Sequence, residues 1–168
     1  MNIPKIGMRN IKTTIAVFFC LLLFEIINRE NSFYACIAAV ICMQNTVDNS
    51  MQKSISRIIG TAIGGFVAII VLIFLETYII EDAYFLFIPI GIIVLIEICV
   101  AINKKDAVSI CCVVYLSILI TKRQEGGYLI YTIDRIIDTS IGIFIALIVN
   151  KYIKKPKRFQ KDNDEEEE

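Results

Sequence analysis

The chain has 168 residues, 57% of them hydrophobic, and a mean hydropathy of +0.69; soluble domains sit nearer about 45–50% apolar. Its formal net charge is zero, but six acids crowd into the last seven residues, and residues 1–161 hold 17 basic groups against 11 acidic ones. With no histidine, no metal-ligand cluster and no basic, aromatic-interleaved face, this composition points to an integral membrane protein and away from a metalloenzyme or a nucleic-acid binder. No cofactor is expected.

Lys5, Arg9 and Lys12 precede the first apolar run as in a signal-peptide n-region. No small-residue cleavage site follows, and a second run starts almost at once. The first run is therefore read as a retained helix. Six spans are predicted in chain order, at about 11–28, 33–47, 58–75, 84–101, 107–121 and 136–153. A charged tail, residues 156–168, follows a membrane domain at 1–155 and has the composition of a disordered segment. The six cysteines all lie in apolar runs without CxxC spacing and are read as small buried hydrophobes.

Lys and Arg in the short loops set orientation. With the N-terminus in the cytoplasm, thirteen of the 17 basic residues fall inside and four, Arg29, Lys122, Arg123 and Arg135, fall outside. Both termini are thus expected in the cytoplasm of a plasma-membrane protein. Tyr34, Tyr78, Tyr84, Tyr128, Tyr131 and Tyr152 lie near span ends, where they can form an interfacial belt in a chain without tryptophan.

Residues 57–71 read RIIGTAIGGFVAIIV and residues 135–149 read RIIDTSIGIFIALIV, with ten identities in fifteen positions. The repeats run at about 9–75 and 84–153. Three spans per repeat is an odd number, so the second copy enters the bilayer from the opposite side. The predicted fold is all-α: a polytopic bundle of six transmembrane helices built as two inverted three-helix repeats, an arrangement typical of secondary transporters.

Spans 2 and 5 hold corresponding places and are both short. Fifteen residues of helix reach about 22 Å, against a hydrocarbon core of about 30 Å. Either an extended segment finishes each crossing or the centre is thinned and wet. Gln44, Asn45 and Thr46 end span 2; Ser109, Ser117 and Thr121 line span 5. On spans 3 and 6, Gly60, Gly64 and Ala68, with Gly142 and Ala146, recur at four-residue spacing, and helix packing is their first explanation.

Glu25 and Glu97 sit inside spans in matching contexts, LLLFEII and IVLIEIC. Arg57 opens span 3 and Arg135 opens span 6. The topology puts one glutamate and one arginine near each face, which allows cross-repeat pairs of Arg57 with Glu97 and Arg135 with Glu25. Asp138 has no acidic twin, since Gly60 takes the matching place; it either pairs locally with Arg135 or marks a coupling site. The arginines are either headgroup anchors or cavity-facing groups. In the second case they draw small organic anions, carboxylates above all, into a passage with apolar walls. The substrate-path candidates are Arg57, Arg135, Thr61, Thr139, Glu25, Glu97, Asp138, Gln44, Asn45 and Ser117.

The basic start RNIKTTIAVFF, the VDNSMQKSISR loop, RIIGTAIGG and DRIIDTSIGIFIALIVN together resemble the FUSC superfamily, including the bacterial aromatic acid exporter family. The resemblance covers about 1–155. It implies six-helix membrane units that export aromatic carboxylates, with Arg57, Thr61 and Gly64 carrying the motif and Arg135 and Thr139 its echo. Plant malate channels are similar in architecture, which implies that channel behaviour is open to such a fold. Members usually continue into a cytoplasmic helical domain, where only the charged tail KYIKKPKRFQKDNDEEEE is expected here. A lone six-helix unit encloses little, so a homo-oligomer embedded in membrane lipid is expected. The competing readings are a non-transporting membrane scaffold and, weakest, an intramembrane enzyme, for which no nucleophile with a base is present.

Overall fold

The computed structural model describes residues 7–29, 31–78, 84–122 and 127–153. The charged tail, Lys5, Glu81, Asp82 and Arg123 lie outside them. The described residues are all-α: α1 (Met8–Ile26), α2 (Phe33–Cys42), α3 (Val47–Tyr78), α4 (Tyr84–Ala101), α5 (Val108–Lys122) and α6 (Tyr128–Tyr152), with one 3-10 turn at Lys105–Ala107.

By length and apolarity one of these helices, over Val47–Leu75, is able to cross a bilayer, while the apolar stretches Phe33–Cys42 and Leu86–Ala101 are shorter. The segment expected to be a loop before span 3 is helical. Thr46 explains it: its Oγ1 accepts the Asn49 backbone N–H at 3.2 Å, the bond an N-cap residue makes. Asp48 in the first turn adds a favourable charge. The span expected to reach residue 47 ends as a helix at Cys42 instead. Helix α6 likewise starts eight residues before the predicted span 6.

Helices α1 and α4 end in the same way. Asn28 (φ 51°) and Asn103 (φ 56°) adopt the left-handed conformation. The Arg29 N–H bonds back to Phe24 O at 3.0 Å and that of Asn28 to Glu25 O at 3.2 Å; Lys104 bonds to Cys99 O at 2.9 Å and Asn103 to Val100 O at 3.0 Å. Both are the six-to-one, five-to-two closure that satisfies terminal carbonyls.

The chain divides into two compact units, residues 1–52 with 138–168 and residues 53–137. Unit 1 takes α1, α2 and the later part of α6. Its core is Ala16, Cys20 and Phe24 from α1, Ala35, Ala38, Ala39, Cys42 and Met43 from α2 and its end, and Ile143, Ala146 and Val149 from α6. An added Cβ at Gly142 would strike the Ala35 backbone, so α6 and α2 meet at backbone distance. Unit 2 takes most of α3 with α4, α5 and the start of α6. Its core is Ala68, Leu72 and Leu75 from α3, Leu95 and Cys99 from α4, and Cys111, Val114, Tyr115, Ile118 and Leu119 from α5. Here α3 and α5 approach closely. A Cβ on Gly60 would lie 2.9 Å from Ala107 O, and one on Gly64 would strike the Cys111 backbone. Small residues permit such approaches between apolar helices.

Candidate functional site: buried polar stripes on two long helices

Helix α3 is turned inside out relative to a soluble amphipathic helix. Ser50, Ser54, Arg57 and Thr61 are buried, at spacings that put them on one face. Val47, Met51, Ile55 and Ile58 are 41–46% exposed on the other. Helix α6 repeats the pattern. Thr132, Arg135, Asp138 and Thr139 are buried, while Leu129, Ile130, Ile133, Ile136 and Ile137 are exposed. Farther along these helices Phe66 and Phe144 are each about two-thirds exposed. An apolar exterior of this extent is unsuited to water, whereas lipid accepts it and leaves the polar groups to be satisfied within the protein.

In unit 2 the polar groups meet on α5. Arg135 Nη1 donates to Ser117 Oγ, and Ser117 Oγ lies 3.3 Å from Tyr131 Oη. The Thr132 methyl closes over Gly65, where an added Cβ would lie 2.9 Å from it. Arg57 is 7% exposed, one turn before Thr61 and one after Ser54. Ser54 Oγ has no hydrogen-bond partner among the described residues. Lys53 reaches Asp106 at 3.6 Å, both well exposed, a surface pair of little energetic weight.

In unit 1 two polar clusters sit twelve residues apart on α6, about 18 Å of helix. At one, Arg29 Nε contacts the buried Asp138 carboxylate at 2.7 Å. At the other, the buried Lys12 ammonium donates to Asn150 Oδ1 at 2.9 Å and to Asn150 O at 3.3 Å. The Asn150 amide in turn reaches Ser50 Oγ (2.7 Å), Gln44 O and Thr46 O (both 3.1 Å). Gln44 N–H donates to Ser50 Oγ at 2.9 Å, and Arg9 Nε to Met43 O at 3.0 Å. The non-helical link from Met43 to Thr46 thus has its backbone bonded by side chains of α1, α3 and α6, which is how irregular backbone persists where water is scarce.

Of the residues singled out from sequence, Arg57, Thr61, Arg135, Asp138 and Thr139 are buried, with Gly60, Gly64, Ala68, Gly142 and Ala146 on the same helix faces. Gln44 and Ser117 are half-buried. Glu25, Glu97 and Asn45 are exposed, so none of the three belongs to a buried polar cluster. Asp138 has a partner that local spacing does not offer, Arg29, more than a hundred residues away in sequence. Sequence reasoning missed Lys12, Asn150, Ser50 and Ser54. Lys12 reads from sequence as a loop charge, and Asn150 stands at the end of an apolar run; the available signal is an asparagine at the place where the other repeat has Leu72.

Among the described residues no group of three His, Cys, Asp or Glu side chains is placed to hold a metal. What the stripes offer is fixed cations and hydroxyls held inside an apolar shell. Comparison with known proteins gives the family. The family model described as aromatic acid exporter family member 1 matches residues 4–153. The chain belongs to the aromatic acid exporter family. It is 27% identical to a UPF0421 protein of Staphylococcus haemolyticus over 95% of this chain and 46% of that protein. It is also 27% identical to one of Staphylococcus epidermidis over 92% and 44%, and 28% identical to one of Halalkalibacterium halodurans over 94% and 42%. The chain thus spans less than half the length of these relatives. No solved structure matches it.

Proposed function

We propose that the chain is the membrane part of a transporter or channel for small organic anions, aromatic carboxylates foremost, in the plasma membrane. In this reading all six helices cross the bilayer as two inverted repeats, both termini are cytoplasmic, and several copies assemble around the path. The observation that carries it is the inverted burial of α3 and α6: Arg57, Thr61, Arg135 and Thr139 inside, aliphatic and phenyl groups outside.

Each arginine sits one helical turn before a buried threonine, so both stripes present a guanidinium and a hydroxyl on one face. A guanidinium reads a carboxylate through two parallel hydrogen bonds. Charge on the passenger is then met by fixed cations while its apolar body rests against aliphatic walls. The large groove of about 830 Å³ between α3 and α4 is not that place. It is lined by Ala62, Phe66, Ile70, Ile90, Val94 and other residues without a polar side chain, and a carboxylate there would be desolvated without compensation. Against the scaffold reading, the glycine faces that would recruit a partner are occupied within the chain, Gly64 by Cys111 and Gly142 by Ala35.

The test is flux of radiolabelled 4-hydroxybenzoate and malate through liposomes holding the purified chain, with protein-free liposomes subtracted. Arg57→Gln and Arg135→Gln each remove a charged hydrogen-bond donor worth about 1.5–3 kcal/mol and are expected to lower flux by about tenfold or more, with the folded fraction unchanged by size exclusion. Unchanged flux in both variants overturns the reading.

A further inference from the structure

We propose that the Arg29–Asp138 ion pair couples proton binding to anion binding, so that the passenger crosses together with a proton. This rests on the anion-transport reading above and adds to it a driving ion.

Three observations lead here. The chain has no histidine. Among the described residues Asp138 is the buried carboxylate, 2% exposed, whereas Glu25, Asp48, Glu97, Asp106 and Asp134 are all exposed. Among the described residues Asp138 is therefore the acidic side chain placed to carry a proton through the interior. Its partner Arg29 sits in the connection after α1, with its side chain 29% exposed and its Nε 2.7 Å from the carboxylate. The guanidinium thus touches both the buried acid and the exterior. At the position that matches Asp138, α3 has Gly60, so the device belongs to one repeat only.

Other charged and titratable groups are near. Asp134 and Arg135 lie one turn earlier on α6. At the same end of unit 1, Glu25 is exposed in the last turn of α1 and Tyr34 is half-buried in the first turn of α2. Arg135 is bonded to Ser117. Glu30 lies outside the described residues.

The step balances simply. A proton adds to a carboxylate oxygen of Asp138 and the carboxyl becomes neutral. The ionic attraction to Arg29 is lost, and the guanidinium turns to an incoming carboxylate. On release the anion leaves Arg29, Asp138 gives up its proton, and the pair closes again. Proton and anion therefore favour each other's binding by the same factor. A monocarboxylate moved this way carries no net charge.

The experiment compares wild type, Asp138→Asn and the double variant Arg29→Gln/Asp138→Asn in liposomes, with labelled 4-hydroxybenzoate as probe. Exchange with the same pH on both sides reads transport itself. A pH gradient and, separately, a potassium-diffusion potential read coupling. Wild-type flux is expected to rise on the order of tenfold with the pH gradient and to ignore the potential. The exchange that Asp138→Asn retains is expected to lose the pH response and gain a response to potential. If wild type and Asp138→Asn answer both gradients alike, the coupling is overturned while transport stands; if wild type does not exchange, the transport reading falls. Infrared difference spectra, acid minus neutral, are independent of flux. With the spectrum of 4-hydroxybenzoate alone subtracted, the carbonyl stretch of a protonated carboxylic acid should grow when 4-hydroxybenzoate is added to wild type, and that increment should be absent in both variants. An increment that is unchanged in Asp138→Asn overturns the proposal even if the variants transport poorly.

Discussion

In unit 1 the buried face of α2 and its end is Ala35, Ala38, Ala39, Cys42 and Met43; in unit 2 the buried face of α5, 76 residues on, is Cys111, Val114, Tyr115, Ile118 and Leu119. The registers agree at every position, but the side chains do not. The same holds for the first helices, where Ala16, Cys20 and Phe24 on α1 stand against Gly91, Leu95 and Cys99 on α4. Volume is traded between partners. Three alanines on α2 sit with Phe24 on α1; Tyr115 on α5 sits with Gly91 on α4, which leaves room for the phenol to reach Phe87 O at 3.0 Å. On the long helices the trade is in polarity. Asp138 and Asn150 occupy the places of Gly60 and Leu72. One helix plan therefore serves a unit with polar clusters at both ends of its α6 segment and a unit whose corresponding positions hold a glycine and a leucine. The difference lies in two residues and their partners, and it can be broken one residue at a time.

The largest effect is expected where the units agree. Gly64→Val and Gly142→Val each drive a branched side chain into the backbone of a neighbouring helix. Overpacking of this kind costs about 1–3 kcal/mol and occasionally more, and backbone cannot rotate away. Both variants are expected to lose most of the folded fraction in an SDS-unfolding titration, and by similar amounts. A loss confined to one of them would show that the units do not share this contact in importance.

Next comes the exchange of polarity. Asn150→Leu makes unit 1 resemble unit 2 at that position. It strips Lys12 of its Asn150 side-chain acceptor, and Ser50 and the Gln44 and Thr46 carbonyls of their donor. Losing one partner of a buried charged bond costs more than the bond contributes, so a loss of about 2–3 kcal/mol is expected. Lys12→Leu/Asn150→Leu should recover part of it, since removing both partners is cheaper than removing one. Absence of coupling in this double-mutant cycle would mean that the bond does not matter to stability.

Much of this plan was legible before any coordinates. The arginine-led repeat, the small-residue positions and the pairing of Arg57 with Arg135 as equivalents all follow from local pattern, since the fifteen-residue match fixes which face of each helix is which. The match extends in the structure to Ser54 with Thr132, both buried, a pairing too conservative in chemistry and too dissimilar in letter to notice. The Asn28 and Asn103 helix ends were readable as Ile-Asn-Arg and Ile-Asn-Lys, a signal passed over because neither asparagine breaks an apolar run. The start of α3 is hard to read from sequence because Thr46, Asp48 and Asn49 look like loop residues unless threonine is recognised as a cap. Long-range pairs were beyond reach. Lys12 finds Asn150 across 138 residues, and nothing in either one's neighbourhood names the other. Glu25 and Glu97 drew notice because a charge inside an apolar run is rare, yet each lies on an exposed side of its helix, a distinction that periodicity alone could not make in helices apolar nearly all round.

The smallest and most selective test concerns Gly91 and Tyr115, the pair that distinguishes unit 2 from the Ala16 and Ala39 of unit 1. Gly91→Ala places a methyl against the Tyr115 hydroxyl and ring edge. Tyr115→Phe removes the hydroxyl, and with it the bond to Phe87 O, at a cost of about 1 kcal/mol. If the oxygen is the atom in the way, Gly91→Ala alone is expected to destabilise more than Tyr115→Phe alone, and Gly91→Ala/Tyr115→Phe less than the sum of the two. Side chains in contact couple in this fashion by about 0.5–3 kcal/mol. Strict additivity would instead place the cost of the methyl in the ring, whose Cζ the added Cβ also strikes and which phenylalanine keeps.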